Sequence, residues 1–324
     1  MKTRSAPASH LIIAGVTRAA TTSLFHYLAA HPRVCRSTIK ETRFFLGDDP
    51  DLPRLHSYAQ GLERYEAFFP KCSADAARLE ATPDYLFDPD AAGRIRQALP
   101  AARIVIVLRE PIARLVSWYR FAQQDGRLDP AMSFAQYVEH QAKCEDSSDS
   151  ANGSPPPQAM RALEQGRYSR YLPAWLEAFG PRDLLIVNHA HLEEDPAAVL
   201  RAICGMAGLD AGFYEGYDFR VHNESRSLRF PAVQRAYQGL IWTLKPLVHD
   251  RPMLRAPLRA ARRAIQPMLL TLNRAQRGPV QIPDETRAFL EHYYASEPAA
   301  LAQLLGLEDW SWQLAPVHPQ GGRA

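Results

Sequence analysis

The stretch Arg103–Pro111, RIVIVLREP, limits the fold more than any other part of the chain. Its apolar run, Ile104–Leu108, is unbroken and mostly β-branched. A strand with one wet face alternates apolar and polar residues, so an unbroken run has to be covered on both faces. That describes an interior strand of a parallel sheet with helices above and below. Leu11–Ala14, ended by Gly15, and the apolar part of DLLIVNHAHL, ending at Asn188, read as further buried strands.

Helical patterns separate these runs. Thr22–Ala30 carries Leu24, Phe25 and Leu28 at helical spacing, and His31-Pro32 closes it. AAGRIRQALP is stopped by Pro100. Pro111 opens PIARLVSWYRFAQQ, and Asp195-Pro196 opens DPAAVLRAICGMAGL. After Val34 returns to the sheet, STIKETRFFLG reads as strand end, loop and short helix. Residues 48–78, with Tyr65, Phe68 and Phe69, read as helical and peripheral. RLEATPDYLFDP reads as a strand end followed by a structured loop. Arg161–Phe179 reads as two helical pieces with Leu172, Trp175, Leu176 and Phe179 on an apolar face. IPDETRAFLEHYY and LAQLLG close the chain as helices, with Trp310 and Trp312 anchoring the tail. Strands alternating with helices predict an α/β fold in three layers, a central parallel β-sheet flanked by helices.

The 324 residues suit a single domain over 1–324. Within it, 143–158 is polar and proline-rich and reads as a mobile loop. Residues 220–281 read as a basic helical segment: Arg220–Arg277 holds twelve Lys or Arg against two Asp or Glu. A hydrophobic fraction of 46% and a charged fraction of 23% are those of a soluble globular protein. The net charge of +3 is too mild to argue for nucleic acid. No apolar run reaches the length of a membrane span, and the N-terminal apolar run is too short for a leader. Cys35, Cys72, Cys144 and Cys204 form no CxxC pair and read as free thiols of a reducing compartment, the cytoplasm. No metal signature is present in the sequence.

The chemistry concentrates in LIIAGVTRAATTSLFHYLAAHP, Leu11–Pro32. A strand, a glycine turn and a helix N-terminus make an anion site, because the first amides of a helix lack acceptors and its dipole favours negative charge. Ala19 and Ala20 let the backbone approach, and Thr21, Thr22 and Ser23 add hydroxyls. A triphosphate loop would end in Gly-Lys-Ser/Thr. Here Thr21 stands at the lysine position and the charge is at Arg18. That pattern suits an anion carried without an obligatory metal. The bland alternative is an ordinary strand-to-helix turn with a surface arginine.

GVTRAATTSLFHYLAAHP and RIVIVLREPIARLVSWY together resemble the two nucleotide motifs of the sulfotransferases that use 3'-phosphoadenosine 5'-phosphosulfate (PAPS). The resemblance implies their P-loop-like fold. It also implies a 5'-phosphosulfate held by residues Arg18–Ser23, and a 3'-phosphate held by Arg109 and Ser117. The neighbouring Arg114 reads as a solvated helix residue. KETRFF, EATPDYL and YSRYLPAWLEAF resemble segments of the heparan-type carbohydrate sulfotransferases. That resemblance makes Glu41 the catalytic base, with Arg18 balancing leaving-group charge and Arg43, Asp84 and Tyr85 in an acceptor cleft. It makes Arg226 or Arg229 a cover over the nucleotide. The closing segment is similar to the C-terminus of bacterial members. Three positions depart from the pattern: Arg18 replaces lysine, Ala20 replaces glycine, and Ala81 replaces lysine. The turn at Ala20 is therefore expected to suit a Cβ.

The expected activity is sulfuryl transfer from PAPS, leaving PAP, to a hydroxyl of a sugar, glycolipid or other glycoconjugate, with no metal. Alternatives are a sulfotransferase of small natural products, a P-loop kinase, or a non-catalytic PAP-binding module. In the bland reading Glu41 is a surface glutamate paired with Lys40 or Arg43. The basic segment suggests peripheral contact with the inner face of a membrane through 251–270.

Overall fold

The computed structural model describes residues 9–49, 51–52, 54–146, 157–220, 227–228, 274–275 and 278–313. Five strands form one parallel sheet: β1 (His10–Gly15), β2 (Val34–Arg36), β3 (Ala77–Ala81), β4 (Arg103–Leu108) and β5 (Leu184–Asn188). Their order is β2-β3-β1-β4-β5. Ile12 of β1 sits between Glu80 of β3 and Ile104 of β4. Leu11, Ile12, Ile13 and Ile104–Leu108 have no solvent exposure. This is the double coverage that the unbroken runs require, and each such side chain contributes about 1.5–3 kcal/mol of burial. Chain connections leave β1 toward β2 and β3, but leave β4 toward β5. The order therefore reverses between β1 and β4, and the carboxyl ends of those strands flank the crevice where open α/β sheets bind ligands.

The helices are α1 (Thr21–Ala30), α2 (Leu62–Glu66), α3 (Ala91–Ala98), α4 (Pro111–Gln124), α5 (Phe134–Asp146), α6 (Leu172–Ala178), α7 (His189–Glu194), α8 (Pro196–Ala207), α9 (Asp284–Tyr293) and α10 (Glu297–Leu305). Helices flank the sheet: α1 packs on β3, α8 on β4 and β5, and α3 against α6. Asp195 caps α8 by accepting from the Ala198 amide at 2.8 Å, Pro196 takes the first turn, and Gly208 ends it left-handed. At the end of α1, buried His31 accepts from the Arg33 amide through Nδ1. Its Nε2 is thereby left to donate to the Asp210 carbonyl at 3.1 Å.

The chain divides into two compact units. The first comprises Met1–Arg114, Glu164–Asn223 and Leu290–Ala324, and holds the parallel sheet. The second comprises Leu115–Leu163 and Glu224–Phe289. In it, Tyr137 of α5 is fully buried and donates to the Ala159 carbonyl at 2.8 Å.

Several local expectations change. Tyr65, Phe68 and Phe69 are core residues, not peripheral ones, with exposures of 0%, 3% and 5%. STIKETRFFLG contains no helix; after β2 it runs as loop and turn to Gly47. Residues Lys143–Asp146 continue α5 instead of opening a loop, and 147–156 lie outside the described residues. Of the basic segment, Ser227–Leu228 (β6) pairs antiparallel with Arg274–Ala275 (β7). Most of the remainder, including 251–270, lies outside the described residues. Arg114 is fully buried rather than solvated, its guanidinium 5.6 Å from the Phe87 ring centre and 5.9 Å from that of Tyr168. Delocalised charge on an aromatic face makes such burial tolerable for arginine.

The expectation of four free thiols is also corrected. Cys35 of β2 and Cys72 form a disulfide with Cα atoms 5.5 Å apart and a sequence separation of 37, while Cys144 and Cys204 are free. Loop-closure entropy gives such a cross-link about 4 kcal/mol. Reduction, or Cys72→Ser, should therefore lower the stability read by urea denaturation by roughly 2–4 kcal/mol. Identical curves for oxidised and reduced protein would contradict the cross-link.

The turn from β1 into α1 is left-handed at two non-glycine residues, Arg18 (φ 75°) and Ala20 (φ 55°, ψ 18°). Ala20 thus does not avoid the glycine conformation; it occupies it with a Cβ, at a cost of about 1–2 kcal/mol. Glycine removes that cost and adds back about 0.4–1 kcal/mol of unfolded-chain freedom. Ala20→Gly should therefore be neutral or stabilising by up to about 1 kcal/mol in denaturant titration, whereas Ala20→Val should destabilise by more than about 1 kcal/mol.

Candidate active site

The mouth of α1 is prepared for an anion. Ala20 is its N-cap residue, yet no side chain caps the helix and its first turn holds no acidic residue. Amides in that turn have no intrahelical acceptor, and the dipole there is unopposed. Thr21 and Ser23 are buried and Thr22 is half-buried, so the three hydroxyls line the first turn.

Two guanidinium groups flank this turn from adjacent strands. Arg18 follows β1 and Arg109 follows β4; Arg109 donates to the Arg18 carbonyl at 2.9 Å. Its own carbonyl accepts from the buried Tyr168 hydroxyl at 2.7 Å. Burial, and after it the charge of Arg109, pulls Arg18 down to about 10. Burial also lowers Arg109, while Glu193, Tyr168 and Glu110 oppose the shift. Two like charges in a half-buried place disfavour one another, and an anion between them removes the penalty. His189, the residue after β5, is buried, and burial followed by Arg109 depresses it to about 4. Its Nδ1 lies 3.2 Å from Glu193, a close contact of a neutral imidazole at neutral pH rather than an ion pair.

The second cluster follows β2. Glu41 accepts from Lys40 Nζ at 3.2 Å on one oxygen and from the Arg43 guanidinium at 3.0 Å on the other. It is thus paired with both cations considered in the bland reading, and its side chain keeps 34% exposure. Burial alone would raise its pKa, but Lys40 and then Arg43 outweigh that and hold the carboxyl below its ordinary value. Arg43 is left-handed, with φ 55°. The Lys40 carbonyl accepts from the Ala81 amide at 3.0 Å, so the turn starts at the carboxyl end of β3.

A 3-10 turn, Pro83–Phe87, touches both clusters. Asp84 accepts from Thr17 of the anion loop at 3.1 Å. Tyr85 is fully buried and its hydroxyl receives the Phe45 amide at 3.3 Å. As placed, Tyr85 supports the Glu41 turn from inside and offers an acceptor no surface; Asp84, 8% exposed, faces Thr17. The structure thus gathers Arg18–Ser23 with Arg109, and Glu41 with Arg43. Ser117 lies on α4 in the second unit and is buried there. Arg226 and Arg229 lie outside the described residues. Sequence reasoning missed Thr17 and Glu80 as participants, had Lys40 only as a partner of Glu41 in the bland reading, and gave His189 little weight. His189 had a usable signal, a polar residue directly after the carboxyl end of a buried strand. Among the described residues no group of three His, Cys, Asp or Glu could hold a metal ion.

Comparison with known proteins agrees with this arrangement. Residues 8–230 match the sulfotransferase domain family. The chain is 28% identical over 257 residues to a bifunctional heparan sulfate N-deacetylase/N-sulfotransferase 2 of Bos taurus, covering 68% of this chain and 26% of that protein. It is 28% identical over 198 residues to a heparan sulfate glucosamine 3-O-sulfotransferase 3B1 of Mus musculus, covering 61% of this chain and 45% of that protein. The chain thus spans less than half the length of these relatives. A solved sulfotransferase from Alicyclobacillus acidocaldarius shares the fold, with a TM-score of 0.54 and 24% identity over 76% of this chain and 96% of that one. With a parallel sheet, a helix without a side-chain cap after β1 and an arginine after β4, and with residues 8–230 matched by the domain family, this protein is a member of the sulfotransferase family.

Proposed function

We propose that the protein transfers a sulfuryl group from PAPS to a hydroxyl of a carbohydrate or glycoconjugate. The observation that carries this reading is the mouth of α1, where a helix with no side-chain cap follows Arg18, whose carbonyl accepts from Arg109, at the reversal of strand order. That donor set fits a phosphosulfate: amides and hydroxyls at the helix N-terminus, with planar guanidinium forks on its flank. The heparan sulfate relatives support a sugar acceptor.

Bound there, PAPS would supply an activated sulfur–oxygen bond. That bond breaks as sulfur bonds to the acceptor oxygen, and the electron pair stays on the 5'-phosphate. Arg18 and the α1 amides stabilise the charge that gathers on this leaving oxygen. Glu41 accepts the acceptor's proton, which requires it to be ionised. Lys40 and Arg43 secure that state and set their positive charge at the acceptor side. Arginine at 18 donates without giving up its proton, so its part is electrostatic. Residues 251–270 remain our proposed membrane-contact segment, and the cytoplasm our proposed location, although the Cys35–Cys72 disulfide removes the free-thiol argument for it.

Removing the proton acceptor while keeping its shape isolates its role. Glu41→Gln should reduce turnover of labelled PAPS on heparan sulfate oligosaccharides by about 10²–10⁴-fold. PAP affinity by calorimetry should be unchanged, whereas Arg18→Ala and Arg109→Ala should each weaken it at least about tenfold. Turnover near wild type in Glu41→Gln would remove the residue from the mechanism.

The pH profile gives a separate check. Glu41 has a depressed pKa, so its base form persists across neutral pH and is lost only as pH falls through that lowered value. The acidic limb of kcat/KM should lie below the ordinary glutamate value of about 4.3. A limb near 6.5 would transfer the role to an ordinary histidine.

A further inference from the structure

We infer that Glu80 is a positioning residue of this active site: its buried carboxylate holds the turn that presents Glu41 and Arg43. The inference rests on the functional reading above and adds a residue to it. Glu80 sits on β3, paired with Ile12, and has no solvent exposure. Four hydroxyls converge on it. Tyr65 and Tyr85 donate to Oε1 at 3.2 and 3.0 Å, and Thr42 and Thr82 donate to Oε2 at 2.8 and 2.9 Å. A carboxylate offers about four acceptor directions, so this set fills them.

Three of those hydroxyls face two ways. Thr82 Oγ1 accepts the Arg43 amide at 3.2 Å, Thr42 Oγ1 the Phe44 amide at 3.3 Å, and the Tyr85 hydroxyl the Phe45 amide at 3.3 Å. Three consecutive amides of the Glu41 turn therefore end, through one hydroxyl each, on the same carboxylate. A hydroxyl that donates to an anion is a better acceptor on its other side, so the relays support one another. The arrangement also explains the left-handed backbone of Arg43. Such a residue persists only where its surroundings over-determine it. Its own amide is held through Thr82, and Thr42 before it is held by Oγ1. Arg43 lies within this held segment, and Lys40 and Glu41 directly precede it, between the Ala81 amide on the Lys40 carbonyl and Thr42 on Glu80, so the pairing of Glu41 with its two cations depends on it. Burial raises the pKa of Glu80 against the pull of its four hydroxyl partners.

Glutamine at 80 has the same shape but only one acceptor oxygen. Two of the four hydroxyls would then face an amide that donates, and their relays would break. Glu80→Gln should raise hydrogen exchange at least about tenfold at the amides whose relays face the new amide nitrogen, either Phe45 through Tyr85 or Arg43 and Phe44 through Thr82 and Thr42, while the amides of 19–24 keep wild-type rates. PAP affinity should stay within about twofold. With heparan sulfate oligosaccharides and labelled PAPS, kcat should fall about tenfold or more, with KM for PAPS unchanged. Thr42→Val should repeat the effect at Phe44 and Thr42→Ser should restore wild-type behaviour; this pair keeps the test open if Glu80→Gln does not fold. Leu200→Ala, a buried site on α8, serves as a control for general destabilisation.

Wild-type protection at 43–45 in Glu80→Gln would overturn the inference. So would loss of protection across the whole first unit in parallel with Leu200→Ala. The exchange readout needs no turnover. Absence of PAP binding and of turnover in the unsubstituted chain would retire the functional reading, while exchange at 43–45 would still decide whether Glu80 holds the turn.

Discussion

The candidate site depends on a short piece of backbone turning the wrong way. Between β1 and α1 the chain is left-handed at Arg18 and again at Ala20, where α1 begins. A right-handed entry with a serine or aspartate cap would have satisfied the helix internally. The observed turn brings α1 to the sheet's carboxyl edge with no side-chain cap. Both features are needed together: the parallel sheet brings Arg109 to the same edge, and its contact with the Arg18 carbonyl ties the two strand ends to each other. Strain at Ala20 is therefore local in cause and functional in effect.

The second dependence runs through the segment after β3. Thr82, Asp84 and Tyr85 lie within four residues, and they serve different neighbours. Asp84 reaches the anion loop through Thr17, whereas Thr82 and Tyr85 reach the Glu41 turn. The two halves of the proposed chemistry share a single support. The lysine that the heparan-type pattern expects at 81 would have stood at its start. Ala81 is instead fully buried and its amide is bound to the Lys40 carbonyl. Positive charge on the acceptor side comes from Lys40 and Arg43 in this chain.

The fold was legible where a single physical demand dominated the residues. Unbroken apolar runs at Ile104–Leu108 and Leu11–Ala14 admit little except buried parallel strands, and the proline starts of α4 and α8 follow from proline's missing amide hydrogen. Arg18 and Arg109 were legible because their types and places follow strand ends. Other parts depended on contacts far apart in sequence. Tyr65 belongs to the core because Glu80 and the aromatic rings around it enclose it, and no local period reports that. Arg114 looked like a solvated helix residue because its aromatic partners, Phe87 and Tyr168, come from distant segments. Tyr85 was assigned to the acceptor cleft, whereas its hydroxyl turns inward onto the buried carboxylate of Glu80 on the strand just before it. Cysteine spacing carries no information on Cα separation, so the pairing of Cys35 with Cys72 had no sequence signal.

That disulfide has a topological consequence. It converts Cys35–Cys72 into a covalent ring containing Lys40, Glu41, Arg43 and Tyr65. The anion loop and Arg109 lie on open chain outside the ring. Excursions of the Glu41 turn are bounded by the ring's circumference, whatever happens to the hydrogen bonds within it. The region read as recognising the acceptor can thus vary in sequence inside a closed compartment of the chain, with the half read as holding the nucleotide joined to it through β2, β3, the turn at Pro83 and the contact of His10 with Glu66.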